Sequence, residues 1–465
     1  MIKKILKVLF VIVILITVFL FWALKNVDNT PYLQSDYYSS TKLRLDSIVS
    51  DLGISGGRVR IGLSKNSITP VLLGDMDDPS AGKFVVVPLS GYGGRKGAPA
   101  TGIHDSLFVK AIAIEVNEKI MVFVGSDLLI MPPDVSNLSD KTVAEKTGLT
   151  RENIFYSATH THSGPGAWSG GAVGEMFAGE FNPNVVAWLS RQVSKTIIEA
   201  VENLKPGKIG IGNFRAREFV KNRLVGDEGA VNDDFLMIVA EQPGEKKVIM
   251  GSYDAHATTL GDSNMEISAD YPGYWQRKLE ANGFDMAVFF AGSVGSHGYR
   301  SKGEGFEKPK YMGEALADST IKYAQKITTK DSTVAAALTL KIDYPEFQIR
   351  VSDGLRLNPV IARRLFPEVG DVFLQTIRLD SLIWTTTPCD FSGETAITIK
   401  NAMHIKGFRA MVTSFNGAYT GYVIPCKYYH LNEYESRMMN WFGPGYNPFI
   451  NHMVGELTEK VSSSQ

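Results

Sequence analysis

The chain has little cysteine, with only Cys389 and Cys426 among its 465 residues. Two cysteines cannot form a disulfide framework, and the lack of a CxxC pair argues against a thiolate zinc ribbon or thioredoxin-like redox chemistry. The formal net charge is -1 and no long basic run occurs, so we expect no nucleic-acid partner. Because 44% of the residues are hydrophobic and 21% are charged, the composition is typical of a globular protein rather than a disordered one.

The N-terminus departs from this ordinary composition. From Val8 to Leu24 every residue except Thr17 is apolar, which is about the shortest run that spans a bilayer. Three lysines precede the run and only Lys25 follows it closely, so the positive-inside rule predicts a cytoplasmic N-terminus. We therefore predict a membrane-anchored protein whose remaining chain is extracytoplasmic, either periplasmic or extracellular. A cleaved signal peptide is the alternative, although no convincing small-x-small cleavage site follows the run.

The rest of the chain reads as one large α/β domain, because it lacks internal repeats, low-complexity tracts and proline-rich linkers. We predict a signal anchor over residues 1–28, a polar and partly helical stalk over 29–56, and a catalytic domain over 57–465. Strand-like and helical patterns alternate through this domain, which predicts a mixed β-sheet flanked by helices. The strand-like segments include "RVRIGLS", "FVVVPLSGYG", "DFLMIVAEQ" and "DMAVFFAG", and a closing helix is expected from about Leu431.

Several polar residues follow predicted strands at glycine-rich turns, where sites gather in open α/β sheets. They are His160 and His162 in "SATHTHSGPG", His256, Ser293, Ser296, His297, Asp390, Tyr419 and Tyr422. Two imidazoles and a carboxylate, with one position open to water, are the usual ligands of a catalytic zinc ion. The residues alone also permit a simpler reading, in which hydrogen-bonded polar groups merely end their strands.

A resemblance to a known family favours the zinc site. The segments "SITPVLLGD", "SGYGG", "TGIHDSLFVKAIAIEV", "SATHTHSGPG", "VKNRLV", "DAHATTLGDSNMEISADYPGYW" and "GAYTGY" occur in an order that resembles the catalytic domain of neutral (non-lysosomal) ceramidases. The resemblance runs from about residue 57 to the C-terminus, and the "THTHSGPG" block is its most specific motif.

The resemblance implies a set of site residues. In that family zinc is held by two histidines, a glutamate and a tyrosine, which match His160, His256, position 390 and Tyr422. The second histidine of the motif, matching His162, contacts the reacting group. The arginine of an Asn-Arg pair, matching Arg223, helps to hold the substrate. We also predict a catalytic contact for His297, an oxyanion-stabilising hydroxyl on Tyr422, and substrate contacts for His104 and Ser296.

Three departures separate this chain from the family pattern. The family's Pro-Gly-Glu-Phe is "PCDF" here, so the carboxylate ligand would be Asp390, one methylene shorter. The family's Gly-Asp-Val-Ser-Pro is "GSHGY", which places Gly298 where ceramidases carry the site serine and Ser296 where they carry aspartate. We also expect no C-terminal β-sandwich domain.

Other readings of single residues remain open. Asp390 could cap a turn, with Glu394 as the substitute carboxylate, and Tyr422 could be a packed aromatic. Arg223 could pair with Asp233 or Asp234 instead of substrate. Cys389 and Cys426 flank two of the implied ligand segments, and a disulfide between them is a further hypothesis.

The predicted function is zinc-dependent hydrolysis of the amide bond of an N-acyl lipid, yielding a sphingoid base and a fatty acid if the substrate is ceramide. Water activated by Zn²⁺ would be the nucleophile, without a covalent acyl-serine. One alternative is a hydrolase of the same fold that acts on a non-sphingolipid amide, ester or lactone. The other is a non-catalytic zinc-containing binding protein.

Overall fold

The computed structural model describes residues 2–49, 52–72, 75–242, 244 and 246–463. The helices are α1 (Ile2–Ala23), α2 (Asp36–Val49), α3 (Pro133–Thr147), α4 (Ala172–Ala178), α5 (Pro183–Glu202), α6 (Asp270–Glu280), α7 (Glu307–Ala324), α8 (Pro359–Leu365), α9 (Gly393–Ile405) and α10 (Tyr446–Ser463). The strands are β1 (Leu24–Asn26), β2 (Ser55–Ser67), β3 (Gly102–Ile103), β4 (Phe108–Val116), β5 (Lys119–Ser126), β6 (Ile154–Ala158), β7 (Lys205–Pro206), β8 (Lys208–Arg215), β9 (Val220–Asn222), β10 (Asp234–Gln242), β11 (Lys246–Tyr253), β12 (Glu266–Ile267), β13 (Met286–Ala291), β14 (His297–Tyr299), β15 (Ser332–Ile342), β16 (Leu355–Leu357), β17 (Val372–Leu379), β18 (Leu382–Thr386), β19 (Asp390–Phe391), β20 (Arg409–Thr413) and β21 (Tyr422–Val423).

The longer strands form two mixed sheets. The larger has the order β20-β18-β17-β15-β2-β4-β5-β6, with β7 beside β2, and the smaller has the order β13-β11-β10-β8. The pairs β5–β6, β18–β20 and β11–β13 are parallel, while the other pairs within these sheets are antiparallel. The predicted α/β class with mixed β-structure flanked by helices is confirmed. The longer strands divide between two sheets, however, where the sequence predicted one, and short strands form separate two-stranded sheets.

The alternation along β4 explains the second sheet. Ala111 and Ala113 belong to the core beneath α3 and α5, whereas Ile112 and Ile114 belong to the core shared with the smaller sheet. Both faces of this strand are therefore buried, as the apolar run 111–114 between Lys110 and Glu115 requires. Helices α6 and α7 cover the outer face of the smaller sheet, which completes a helix–sheet–sheet–helix stack.

Helix α5 shows how local sequence fixes one outer layer. It begins after Asn182, whose side-chain oxygen accepts from the backbone N–H of Asn184 at 2.9 Å, and Pro183 is its first residue. Its apolar face packs on β2 and β4. The helix lies so close that a Cβ at Gly62 would be 1.8 Å from the carbonyl oxygen of Ala200, so only glycine fits there.

Two local predictions were wrong. The segment 84–93, "FVVVPLSGYG", forms isolated bridges rather than a strand, because Pro88 has no N–H to donate and Gly91 has a φ of 109°. The closing helix begins at Tyr446 rather than near Leu431. Between them lies a single π-helical turn, Tyr434–Met438, which faces the site described below.

The N-terminal segment leads directly into the folded domain. Helix α1 has 22 residues. Among the described helices it is the one that is long and apolar enough to cross a membrane, although a signal sequence would have the same properties. Strand β1 follows at once and pairs with β16. Within the predicted stalk, α2 packs against β15 and its Leu45 is fully buried. The boundaries of anchor, stalk and catalytic domain stay a prediction.

The carboxyl ends of several strands meet at one edge of the two sheets. The Ser157 hydroxyl at the end of β6 donates to the carbonyl of Ser414, 2.8 Å away, just after β20. The Ser414 hydroxyl in turn donates to the carbonyl of Gly292, 2.8 Å away, just after β13. The loops that follow β6, β11, β13, β18 and β20 therefore converge, and they carry the polar residues that the sequence singled out.

Candidate metal centre

His160 is held in a strained turn two residues after β6. Its φ of 62° lies in the left-handed region, which is uncommon for a residue with a side chain and is tolerated where surrounding structure enforces it. Its Nδ1 lies 2.6 Å from the carbonyl oxygen of Leu129, and its ring stacks on Phe415 with centroids 4.3 Å apart. These contacts fix the ring so that Nε2 points away from both neighbours.

His256 follows β11, and its Nε2 faces the Nε2 of His160. Its Nδ1 lies 3.1 Å from the carbonyl oxygen of Val294, and its Nε2 lies 2.7 Å from Nε2 of His160. Because each Nδ1 must donate its proton to a carbonyl, both Nε2 atoms carry lone pairs in the neutral rings. Two lone pairs facing each other repel, so this arrangement calls for a cation between them.

Asp390 and Tyr422 approach the same point from two paired strands. Strands β19 and β21 are parallel, with Asp390 opposite Tyr422. Asp390 Oδ1 lies 3.5 Å from Nε2 of His160 and 3.7 Å from Nε2 of His256. That oxygen is buried without a hydrogen-bond partner, whereas Oδ2 accepts from the Tyr419 hydroxyl at 2.7 Å. The Tyr422 oxygen lies 3.3 Å from Nε2 of His256.

These donor atoms fit a metal ion in type and spacing. Ligands at about 2.0–2.1 Å in a zinc tetrahedron lie about 3.3 Å from one another, and most of the separations just given are close to that value. Burial lowers the pKa of His160 to about 3 and lowers that of His256 well below its usual value, so both imidazoles are neutral, as ligands must be. Burial also raises the pKa of Asp390 to about 7, and a cation would oppose that shift.

His162 lies beside these groups and faces the solvent-accessible side. Its Nε2 is 3.4 Å from Nε2 of His160, and one ligand atom from each of His160, His162 and His256 lies within 4.8 Å of the others. A Cβ at Gly91 would lie 2.5 Å from its Nδ1, so the glycine makes room for the ring. Burial and the neighbouring His160 lower its pKa well below the usual value, so the imidazole is neutral.

Arg223 lies behind Tyr422. Its Nη2 donates to the Tyr422 hydroxyl at 3.0 Å, and its Nε lies 2.7 Å from a carboxylate oxygen of Glu435 in the π-helical turn. Burial tends to lower the pKa of Arg223, but Tyr422 and Glu435 raise it overall, so the guanidinium stays charged. Arg223 therefore pairs with Glu435 rather than with Asp233 or Asp234.

A cavity of about 400 Å³ opens above the cluster. His160, His162 and Tyr422 lie at its floor, and Trp168, Phe177, Phe366, Met439 and Trp441 form an apolar wall. Exposed Arg363, Arg364, Glu368 and Asp134 lie at its rim. Pockets of this size, with apolar walls and a few convergent polar groups, typically bind small organic ligands.

Four predicted contact residues, Arg223 among them, are not among those that line this cavity. His297 is fully buried, with its Nε2 accepting from the backbone N–H of Asn232 at 2.8 Å and its Nδ1 2.9 Å from the Ser296 hydroxyl. Ser296 is equally buried and also lies 3.0 Å from the Ser392 hydroxyl. His104 is exposed and stacks on Phe306. The proposed substrate or catalytic contacts of these residues stay predictions.

The alternatives to the predicted ligands lie elsewhere. Glu394 pairs with Lys427 at 2.6 Å, so its carboxylate is engaged near the surface, and Asp390 is the carboxylate beside the histidines.

The two cysteines do not form the hypothesised disulfide. Cys389 is buried and Cys426 is exposed, and both are free thiols in this structure. Sequence reasoning missed Glu435 and Tyr434, because the segment that contains them carries no spacing signal and was assigned to a regular helix.

Comparison with known proteins supports the resemblance inferred from the motifs. The family described as neutral/alkaline non-lysosomal ceramidase, N-terminal, matches residues 73–225. A neutral ceramidase from Pseudomonas aeruginosa is 25% identical over 256 residues, covering 51% of this chain and 36% of the relative. One from Oryza sativa subsp. japonica is 26% identical over 230 residues, covering 46% and 29%. The matched region thus spans about a third of the length of these curated relatives, and the predicted resemblance is confirmed.

Solved structures share the fold. The crystal structure of neutral ceramidase from Pseudomonas aeruginosa matches with a TM-score of 0.72 and 19% identity, covering 87% of this chain and 74% of that one. A ceramidase complexed with C2 matches with a TM-score of 0.71, again at 19% identity, covering 87% and 75%. The shared fold therefore extends well beyond the region of detectable family sequence.

Proposed function

Since the chain resembles neutral ceramidases in motif order and shares their fold, we propose that it is a zinc-dependent hydrolase that cleaves the amide bond of a ceramide-like N-acyl lipid. The observation that carries this proposal is the pair of opposed Nε2 atoms of His160 and His256, with the unpartnered Oδ1 of Asp390 beside them. Three buried acceptors converging on one point are poorly explained as structural residues, because each would be left without a donor.

The proposed ligands are His160, His256, Asp390 and Tyr422, with His162 beside them. Zinc bound there would supply a Lewis acid and lower the pKa of a water molecule toward about 7. The neutral His162 would accept a proton from that water and deliver it to the leaving nitrogen. The Tyr422 hydroxyl, held by Arg223, would donate to the oxygen that becomes negative as the amide carbonyl is attacked.

The cavity supports an acyl substrate. Its wall of Trp168, Phe177 and Trp441 suits a hydrocarbon chain, because burying apolar surface stabilises a complex by about 25 cal/mol per Å². The polar groups of His160, His162 and Tyr422 lie at the floor, where an amide would be attacked, and the charged side chains lie at the rim. A substrate with one apolar chain and one amide would match this division.

We further propose that α1 is an uncleaved anchor and that the domain is extracytoplasmic. At about 1.5 Å per residue its 22 residues extend for about 33 Å, which matches the hydrocarbon core of a bilayer. An anchored enzyme would meet a lipid substrate in its own membrane.

Metal analysis of the purified protein and a hydrolysis panel test the proposal together. We expect about one zinc per chain and release of fatty acid from ceramides. Ceramides of several chain lengths should be compared with N-acylated amino sugars and simple esters. Chelation should abolish activity, and added zinc should restore it. Stoichiometric zinc without turnover of any amide or ester would instead favour the binding-protein alternative.

A same-fold hydrolase of another acyl compound is the second candidate. The observation that favours it is Gly298, which matches the position of the family's site serine and offers no hydroxyl. A Cβ there would lie 3.4 Å from the Cβ of Arg223. Faster hydrolysis of an ester or a non-sphingolipid amide than of any ceramide would select this candidate.

A further inference from the structure

The chain that leaves α1 is built into the domain. Strand β1 pairs with β16 in the register Leu24 to Leu357 and Asn26 to Leu355. The backbone N–H of Val27 donates to the carbonyl of Gly354 at 3.0 Å, and the side chain of Val27 is only 7% exposed. The exit from α1 therefore resembles a strand of the fold more than a flexible tether.

Asn358 ties the last turn of α1 to the start of α8. Its backbone N–H donates to the carbonyl of Ala23 at 2.7 Å, and its Nδ2 donates to the carbonyl of Trp22 at 2.9 Å. Its side-chain oxygen also accepts from the backbone N–H of Val360, which caps α8. One side chain thus joins the carboxyl end of α1 to the amino end of α8.

Helix α8 leads from this junction to the rim of the cavity. Its seven residues extend for about 10 Å, and Arg363, Arg364 and Phe366 at its far end line the cavity. The interfacial layer on each side of a bilayer is about 5–8 Å thick, so α8 cannot lie far from a membrane that α1 crosses.

The surface formed by residues 351–365, which include β16 and α8, suits a bilayer interface. Val351, Leu355, Val360 and Leu365 are 48%, 37%, 43% and 37% exposed. The basic side chain of Arg364 is exposed beside them, and lipid phosphates attract such groups. Arg363 is also exposed, with its Nη1 3.5 Å from a carboxylate oxygen of Glu346. Trp22, at the end of α1, is the type of residue enriched where a membrane helix meets water.

We infer that β1, β16 and α8 seat the rim of the cavity on the surface of the membrane that α1 crosses, so that the cavity opens toward the lipid leaflet. The inference rests on the proposed anchoring but not on the identity of the substrate. It also explains what cleavage near residue 28 would cost. Removing α1 and β1 would leave the edge of β16 unpaired and would leave the backbone N–H and the Nδ2 of Asn358 without the carbonyls of Ala23 and Trp22.

Fluorescence quenching in proteoliposomes tests this arrangement without measuring activity. A Cys426→Ser background removes the exposed thiol, and Leu365→Cys or Val360→Cys then carries an environment-sensitive fluorophore. Lys246→Cys is the control, because it begins β11, whose eight residues place it about 25 Å from the strand end that carries the site. The vesicles contain phosphatidylcholine with a nitroxide-labelled lipid, and flotation identifies the membrane-bound protein.

We expect the labels at 360 and 365 to be quenched several-fold more strongly than the label at 246. Flotation with equal quenching at all three positions would overturn the inference while leaving the anchor and the proposed activity intact. Failure to float, or a mature protein whose mass lacks residues 1–28, would overturn both the anchor and the inference. Two labelled positions guard against one variant that fails to fold.

Discussion

Two buried histidines, His160 and His256, differ from a third, His297, in how their ring nitrogens are partnered. His160 and His256 each use one nitrogen for a backbone carbonyl and direct the other at the opposing ring. His297 has a partner for each nitrogen, the hydroxyl of Ser296 and the backbone N–H of Asn232. All three rings are almost completely buried, so burial alone does not identify a ligand.

The difference separates the proposed metal ligands from a structural histidine. A buried imidazole with two complementary partners contributes to folding and gains nothing from a metal ion. Two imidazoles whose lone pairs face each other are destabilising until a cation joins them, which is the behaviour expected of a preformed metal site. The following predictions test this contrast.

The largest effect should come from removing a facing nitrogen. His160→Ala should lose the bound zinc and reduce hydrolysis to background, because an imidazole ligand and the orienting contact to Leu129 disappear together. Zinc content by elemental analysis and fatty-acid release are the measurements. His160→Ala protein that keeps stoichiometric zinc and full activity would show that the ligands have been wrongly assigned.

The two candidate carboxylates should differ next most strongly. Asp390→Asn should weaken zinc binding by more than about a hundredfold, beyond the 10–100-fold typical of groups that only orient the ligands. Glu394→Gln is the matched control, and it should change zinc affinity by less than about threefold because that carboxylate pairs with Lys427. Competition with a chromogenic chelator measures both. Equal losses in the two variants would contradict the assignment of Asp390.

The ion pair behind Tyr422 should contribute a smaller amount. Glu435→Gln keeps the shape of the side chain but removes the charge that orients Arg223, so kcat/KM should fall about tenfold, equivalent to roughly 1.4 kcal/mol. Zinc content should stay the same, because neither residue is a proposed ligand. A loss of zinc together with activity would indicate a structural role for the pair instead.

The sequence predicted the chemistry of the site better than its surroundings. The "HTH" motif, His256 and the carboxylate of "PCDF" each follow a strand, and the carboxyl ends of those strands meet, so the cluster was predictable from pattern and resemblance. Glu435 and Tyr434 were not, because a π-helical turn has no distinct periodicity and the segment looks helical in sequence. The second sheet was missed for a similar reason, since a strand buried on both faces reads the same beside helices or another sheet.

The serines near His297 should matter little for hydrolysis if water is the nucleophile. Ser293 donates to Asp254 at 2.8 Å and Ser296 contacts His297, so both hydroxyls are structural partners. The double variant Ser293→Ala with Ser296→Ala should lose about 2–4 kcal/mol of stability yet keep activity within about threefold under folding conditions. Urea unfolding and initial rates measure the two effects. A trapped acyl-serine, or an inactive double variant that is folded and holds zinc, would overturn this prediction.

The smallest effect should appear in the acid dependence of stability and should isolate His297. Burial lowers the pKa of His297 to about 3, whereas an unfolded histidine titrates near 6.5. Between these values the unfolded chain binds a proton that the folded chain does not, so stability falls as the pH drops through that window. The contribution is about 1.4 kcal/mol per pH unit below 6.5. His297→Gln keeps an acceptor for the N–H of Asn232 but cannot titrate. The slope of unfolding free energy against pH between 6 and 4 should therefore decrease by about 1.4 kcal/mol per pH unit, which corresponds to one proton.

Zinc content at pH 7 should not change in His297→Gln, because the ring is not a proposed ligand. Urea unfolding of the wild type and the variant at several pH values gives the difference, in which the titrations of the other histidines cancel. An unchanged slope, or loss of zinc in His297→Gln, would remove the distinction between His297 and the pair His160 and His256.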